Sequence, residues 1–216
     1  MKTGSEIIID VLAEEGVETI FGYSGGAILP TYDEVFKYNE ANPKNPMPLI
    51  VPSNEQGAGF MASGYARSTG KPGVVMVTSG PGATNTVTPV RDAMADSIPM
   101  VIICGQVSRA AIGSDAFQEA PISSVMGSVA KHVFLITNEN KLAATLKAAF
   151  EVATSGRPGP VVVDIPKDIQ TAEISDEDHE EANIAAYANR ILAIEESRLS
   201  EEKSSEFFDH LSNSKK

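Results

Sequence analysis

Six short apolar runs, each separated from the next by a stretch of helical length, set what this chain can fold into. Leu49-Ile50-Val51, Val74-Val75-Met76-Val77 and Val161-Val162-Val163-Asp164-Ile165 are three of them, and the others cover residues 17–21, 99–104 and 133–136. Runs this short, rich in β-branched residues and with little polar alternation, suit strands buried on both faces. The segments between them carry helical signals. Thr3-Gly4-Ser5-Glu6 is a capping box, after which Ile7, Ile8, Val11 and Leu12 repeat at helical spacing until Gly16. Further helices are expected over residues 28–38, 55–68, 83–96 and 142–154, the last ended by Gly156. Asn42-Pro43-Lys44-Asn45-Pro46 reads as an exposed connection, because its two prolines interrupt any regular ladder. Strands alternating with helices specify βαβ units. The expected fold is α/β: a doubly wound, mostly parallel six-stranded sheet with helices on both faces.

The expected domain covers residues 1–170, followed by an acidic linker over 171–187 and a C-terminal helix over 188–216. In that tail Ile191, Ile194, Leu199, Phe207, Phe208 and Leu211 form a broken apolar stripe that needs a partner, as if a further domain began there. Charge divides the same way. Residues 173–209 hold 12 acidic side chains against Arg190, Arg198 and Lys203, so they carry most of the net charge of −12. The body is near neutral and has no basic footprint for nucleic acid. Cys104, alone of its kind, lies in Val101-Ile102-Ile103-Cys104 and reads as a buried core thiol outside any internal disulfide. No apolar run approaches the roughly 18 residues of a membrane span, and the N-terminus lacks a signal-peptide pattern. A cytoplasmic protein without membrane association is expected.

Glu55 is the chemically informative residue. It follows Leu49-Ile50-Val51 and sits in Asn54-Glu55-Gln56-Gly57-Ala58-Gly59, which places its carboxylate at the positive end of a helix dipole. The next strand runs into Thr78-Ser79-Gly80-Pro81-Gly82-Ala83-Thr84-Asn85. An acid and a glycine-rich loop, each at the carboxyl end of a strand, are how an open α/β sheet presents a cofactor site. Each part also has a plainer reading, as a surface carboxylate at a helix start and as a tight turn that needs glycine. The small-residue face Gly57, Ala58, Ala62, Gly64 and Ala66 weighs against the plainer one, since it permits close packing of another helix, from another subunit included.

Other motifs fit less well. Gly80-Pro81-Gly82 has Asn85 where a dinucleotide fingerprint needs a small residue, and it does not follow the first strand. Backbone approach to a different flat or charged ligand stays open there. From Gly64, the spacing to Gly70-Lys71 is one residue too long for a phosphate loop, and Pro72 replaces the required hydroxyl residue. Gly22-Tyr23-Ser24-Gly25-Gly26 satisfies the nucleophile-elbow pattern, but one strand precedes it, and His132, His179 and His210 are poorly placed to complete a triad. The scattered histidines suggest no metal site, and Gly-Asp-Gly, a common device for holding Mg²⁺ and a diphosphate, does not occur.

Several segments then stand in a recognisable order. Gly22-Tyr23-Ser24-Gly25-Gly26-Ala27-Ile28-Leu29-Pro30 is followed by Glu55-Gln56-Gly57-Ala58-Gly59, Gly64-Tyr65-Ala66-Arg67 and Gly70-Lys71-Pro72-Gly73. Thr78 to Asn85, Asp96-Ser97-Ile98-Pro99, Gly105-Gln106-Val107, Asp115-Ala116-Phe117-Gln118-Glu119 and Arg157-Pro158-Gly159-Pro160-Val161 complete the set. Over residues 1 to 170 the chain resembles the pyrimidine-binding domain of thiamine-diphosphate enzymes. The segment from Asp115 to Glu119 narrows the resemblance to the catalytic subunits of the acetolactate (acetohydroxyacid) synthase family.

The resemblance implies a two-carbon transferase of branched-chain amino-acid biosynthesis. The family residue matching Glu55 hydrogen-bonds the aminopyrimidine N1′ of thiamine diphosphate and favours the tautomer that takes the thiazolium C2 proton. The resulting ylide attacks pyruvate, CO₂ leaves, and the enamine attacks a second 2-ketoacid. Glu55 is thus the implied catalytic residue. Tyr23, Gly25 and Gly26 would face the reacting end of the cofactor, Pro81 and Asn85 its pyrimidine side, and Phe117 and Gln118 the substrate end. Asn54, Ser24 and Ser108 stand where the family usually has His, Pro and Pro, which bears on loop rigidity and inhibitor response and not on the acid.

The family's central domain and its diphosphate-Mg²⁺ domain have no counterpart here. Mg²⁺, and FAD where one is bound, would enter only through them, and the 216 residues alone are expected to lack synthase activity. The implied assembly is a homodimer or tetramer with a small regulatory subunit. Two explanations compete: an incomplete N-terminal piece of a synthase, or a natural pyrimidine-domain chain. The second would be a subunit of a two-subunit 2-ketoacid decarboxylase, or a non-catalytic binding module. The unpartnered tail favours the first.

Overall fold

The computed structural model describes residues 1–175; the expected C-terminal helix over 188–216, its apolar stripe and most of the acidic linker lie outside them. Sixteen strands and helices alternate much as the apolar runs require. They are β1 (Lys2–Thr3), α1 (Gly4–Glu14), β2 (Ile20–Tyr23), α2 (Leu29–Ala41), β3 (Leu49–Ile50), α3 (Glu55–Thr69), β4 (Gly73–Val77) and α4 (Pro81–Thr84). The second half holds α5 (Val87–Ala95), β5 (Met100–Gln106), α6 (Ile122–Gly127), β6 (His132–Leu135), α7 (Leu142–Thr154), β7 (Pro160–Pro166), α8 (Lys167–Thr171) and β8 (Glu173–Ile174).

Six strands form one sheet in the order β3-β2-β4-β5-β7-β6, and each of its pairings is parallel. From β2 the chain steps outward to β3, then returns through α3 to place β4 on the other flank of β2. That reversal opens a crevice at the carboxyl ends of β2 and β4, where open α/β sheets bind ligands. Side chains alternate across the sheet. Val75, Val77, Ile102, Cys104 and Val162 join Ala58, Ala62, Val90, Ile122 and Met126 in a core under α3, α5 and α6. The intervening Val74, Met76, Val101 and Ile103 are buried toward the other face, where α1 meets α2, α7 and α8. Both faces are therefore covered, as a parallel sheet requires.

Local chemistry explains where boundaries fall. The capping box of α1 forms as expected: the Thr3 hydroxyl accepts from the Glu6 amide at 3.2 Å, and the Glu6 carboxylate accepts from the Thr3 amide at 2.6 Å. Residue 17 does not begin a strand. The Val17 amide donates to the Leu12 carbonyl and the left-handed Gly16 to Ala13, a Schellman ending that delays β2 to Ile20. The helix expected over residues 83–96 divides into α4 and α5. Pro89 has no amide proton and its ring would clash with the carbonyl at residue 85, so the helix restarts at Val87 with Pro89 in its first turn. α6 and the pairing of β1 with β8 had no legible signal. That antiparallel pair (Lys2 with Ile174, Thr3 with Glu173) carries the ladder past Gln170.

Three of the five small residues of that α3 face serve this chain's own core. Ala58, Ala62 and Ala66 are buried against the sheet, Gly59 packs on the Pro89 ring of α5, and a Cβ on Gly73 would collide with the Ala62 carbonyl. α5 therefore packs beside this face at Gly59, with β4 beneath, while Gly64 stays exposed with open space around it. Gly73→Ala is expected to cost about 1–3 kcal/mol by overpacking. Urea unfolding would show this as a lower midpoint at unchanged slope.

Candidate active site

Four connections meet at the carboxyl edge of the sheet: those after β2, β3, β4 and β5. Glu55 is the first residue of α3, and Asn54 caps that helix by accepting the Gly57 amide at 2.8 Å. Asn is one of the better N-capping side chains. Asn85 closes α4 at the break forced by Pro89, and its amide donates to Glu55 Oε2 at 2.9 Å. Among the described residues, Glu55 Oε1 receives no hydrogen bond, and it lies 3.6 Å from the place a Cβ on Gly82 would take. The acid is half-buried and held by one of its two oxygens.

Thr78, buried at the end of β4, joins two of the loops. Its hydroxyl accepts the Ala27 amide at 3.2 Å. Its methyl group fills the space beside both Gly25 and Gly82, so that a Cβ on Gly82 would approach it to 2.7 Å. Below them Gly22 lets the Tyr32 hydroxyl reach the Met76 carbonyl at 2.9 Å. Burial raises the affinity of that phenol for its proton, and the nearby Glu55 carboxylate acts in the same direction. Tyr32 therefore stays a neutral donor beneath the acid. Gly105 permits the same closeness on the far side, since a Cβ there would sit 2.5 Å from the Ala27 carbonyl.

The loop after β5 reaches the same edge. Gly80 has φ +54°, and the Gln118 carbonyl packs where its Cβ would be. Of the residues singled out in the sequence, Glu55 and Asn85 touch directly, while Gly25 and the main chain of Gln118 join them through Thr78 and Gly80. Tyr23 stands partly exposed at the end of β2, Gly26 has open space around it, and Pro81 is exposed at the start of α4. Phe117 is 88% exposed, a large apolar ring presented to solvent.

Behind this edge Asp164 lies buried on β7. Its Oδ2 accepts from the Gln106 amide at 3.0 Å, while Oδ1 has no hydrogen-bond partner among the described residues. Burial raises its pKa to about 7 against the opposing effect of Gln106. The same Gln106 amide donates to the Ala120 carbonyl at 3.3 Å, which ties Asp164 to the end of the Phe117 loop. Tyr32 and Asp164 carry no site signal in the sequence, and Thr78 and Gln106 stand there only inside longer motifs, since each works through partners 14 to 58 residues away.

The competing motifs separate in space. Ser24 is exposed at the carboxyl edge, whereas His132 begins β6 at the opposite edge and packs edge-on against Phe134. Cys104 is buried, and burial first, with Asp164 nearby, holds its thiol protonated. No helix among the described residues is long and apolar enough to cross a membrane.

Comparison with known proteins gives the family. The sequence profile of the family described as thiamine pyrophosphate enzyme, N-terminal TPP binding domain, matches residues 2–128. The chain is 52% identical over 170 residues to the mitochondrial acetolactate synthase catalytic subunit of Saccharomyces cerevisiae, covering 79% of this chain and 24% of that protein. It is 48% identical over 172 residues to the acetolactate synthase large subunit of Corynebacterium glutamicum, covering 80% and 26%. To the chloroplastic acetolactate synthase of Arabidopsis thaliana it is 47% identical over 169 residues, covering 78% and 24%. The chain spans about a quarter of the length of these relatives. A parallel sheet with an amide-held glutamate at its switch point, together with a profile match over residues 2–128, leads to one assignment: the chain belongs to the thiamine pyrophosphate enzymes, as an N-terminal TPP-binding domain.

Proposed function

We propose that this chain supplies the acid-bearing half of the thiamine diphosphate site of an acetolactate synthase. That enzyme joins pyruvate to a second 2-ketoacid in branched-chain amino-acid biosynthesis. The observation that carries the reading is the Glu55 carboxylate, one oxygen steadied by Asn85 and the other without a hydrogen bond among the described residues. Such a group suits an aminopyrimidine ring nitrogen, with which a carboxyl can share a proton. Bound there, thiamine diphosphate would supply a thiazolium able to stabilise the carbanion left by decarboxylation of a 2-ketoacid. Glu55 holds the shared proton and Asn85 fixes the acid's orientation, while the neutral Tyr32 hydroxyl is committed to the Met76 carbonyl.

Around the acid, Tyr23, Gly25 and Gly26 would line the reacting end and Pro81 the pyrimidine side. Phe117 and Gln118 would face the incoming 2-ketoacid. No three His, Cys, Asp or Glu side chains converge on a metal position among the described residues. In this reading Mg²⁺, the diphosphate and any flavin are held by another domain or subunit. The working enzyme is then a cytoplasmic homodimer or tetramer that takes a small regulatory subunit.

Calorimetric titration of the purified chain tests this half-site. Thiamine and thiamine diphosphate with Mg²⁺ are expected to bind weakly and within about threefold of each other, and Glu55→Gln to weaken both. No acetolactate should form from pyruvate. A diphosphate form bound about 100-fold tighter than thiamine, equivalent to about 2.7 kcal/mol, would contradict the reading, as would turnover.

A further inference from the structure

The segment Gly113 to Glu119 is folded around one of its own side chains. The Glu119 carboxylate accepts the Gly113 amide through Oε1 and the Ala116 amide through Oε2 at 3.0 Å. The Ser114 and Asp115 amides also favour its charged form, so the carboxyl titrates below its ordinary range. The Glu119 amide in turn donates to the Ala116 carbonyl at 2.9 Å. This wrapping asks unusual backbone geometry of the loop: φ is +85° at Gly113, +54° at Asp115 and +57° at Gln118. Asp115 and Gln118 are L-residues in a region that normally disfavours them, and such conformations persist only where surrounding contacts over-determine them.

Those contacts are visible on both sides. Inside the loop the carboxylate gathers successive amides, an anion held in a backbone nest of the kind that also binds free anions. Outside it, the Gln118 carbonyl rests on Gly80, and the Gln106 amide holds the Ala120 carbonyl just beyond. Phe117, between the two strained residues, has no comparable support and projects into solvent.

We propose that Glu119 is a positioning residue, an internal anion that shapes this loop so that Phe117 and Gln118 are presented to the 2-ketoacid. This rests on the functional reading above. Its charge is used up within the chain, so it neither touches substrate nor shares a proton with the cofactor. Removing the charge should therefore affect ketoacid capture and leave cofactor activation intact.

The test is Glu119→Gln. In the 216-residue chain, solvent exchange of the Gly113 and Ala116 amide protons is followed by NMR. In the assembled holoenzyme containing the chain, KM and kcat for the 2-ketoacids are measured together with exchange of the cofactor's C2 proton. The expected result is at least tenfold faster exchange at both amides and at least a tenfold higher ketoacid KM, with C2-proton exchange within twofold of wild type. Unchanged amide exchange would overturn the proposal, and so would faster amide exchange with KM unmoved. A fall in C2-proton exchange comparable to the fall in kcat would also overturn it. Failure of the functional reading shows separately, as a wild-type holoenzyme that does not consume 2-ketoacid.

Discussion

Glu55→Gln in the assembled holoenzyme is expected to lower kcat for acetolactate formation by about 10²–10⁴-fold, the usual worth of a positioned proton-sharing group. Glutamine keeps the shape and an oxygen that can accept from Asn85, but it cannot share a proton with a ring nitrogen. Stability should hardly change. The side chain is only half-buried, and the cap of α3 is made by Asn54, so the loss is limited to the helix-dipole contribution of about 0.3–1 kcal/mol and the charge assistance of the exposed Asn85 bond. Asn85→Ala should act in the same direction but less strongly. It removes one charge-assisted hydrogen bond, worth about 1.5–3 kcal/mol, and leaves the acid in place. Steady-state kinetics of the two variants beside urea unfolding of the chain would separate chemistry from folding.

Asp164→Asn is expected to change the pH dependence of stability. In the folded chain the burial of Asp164 raises its pKa from 3.8 to about 7. The native state therefore keeps a proton that the unfolded chain releases. The stability tied to this proton is complete below about pH 4, declines as pH rises from about 4 to about 7, and is flat above. Cys104 is the ionisable neighbour coupled to Asp164, and its raised pKa keeps it from titrating in that window. Between pH 5 and pH 8 the wild type should lose about 2–3 kcal/mol relative to Asp164→Asn, at 1.36 kcal/mol per pH unit. The asparagine pays a constant cost for placing an amide at the unpartnered Oδ1 position, so the test is the slope against pH and not the offset. Denaturant titrations of both proteins across this range measure it.

The elements legible in the sequence were those whose cause is local. Val74 to Val77 and Val161 to Ile165 could only be buried strands, and the capping box at Thr3 marked the start of α1. Boundaries moved where a neighbour's chemistry intervened: the Schellman bonds of Gly16 and Val17 delayed β2, and Pro89 divided a helix in two. That division also sets the site, because it ends α4 at Asn85 and turns its amide to Glu55. Glu55 and the glycine loop were visible because a helix start and a tight turn are encoded by adjacent residues. Thr78, Tyr32 and Asp164 were not, since a threonine wedged between Gly25 and Gly82, or an acid stranded beneath Gln106, is defined only once distant strands pair. Glu119 is an intermediate case. Its partners are three and six residues away, but nothing in Asp115 to Glu119 announces that the carboxylate turns inward on its own loop.

The central claim is that Glu55 activates the cofactor by sharing a proton with it. Exchange of the cofactor's C2 proton with solvent deuterium, followed by rapid quench and NMR in the assembled holoenzyme without 2-ketoacid, addresses it directly. Glu55→Gln should slow that exchange at least 100-fold with the cofactor still bound. Exchange at the wild-type rate in a saturated Glu55→Gln enzyme would contradict the claim.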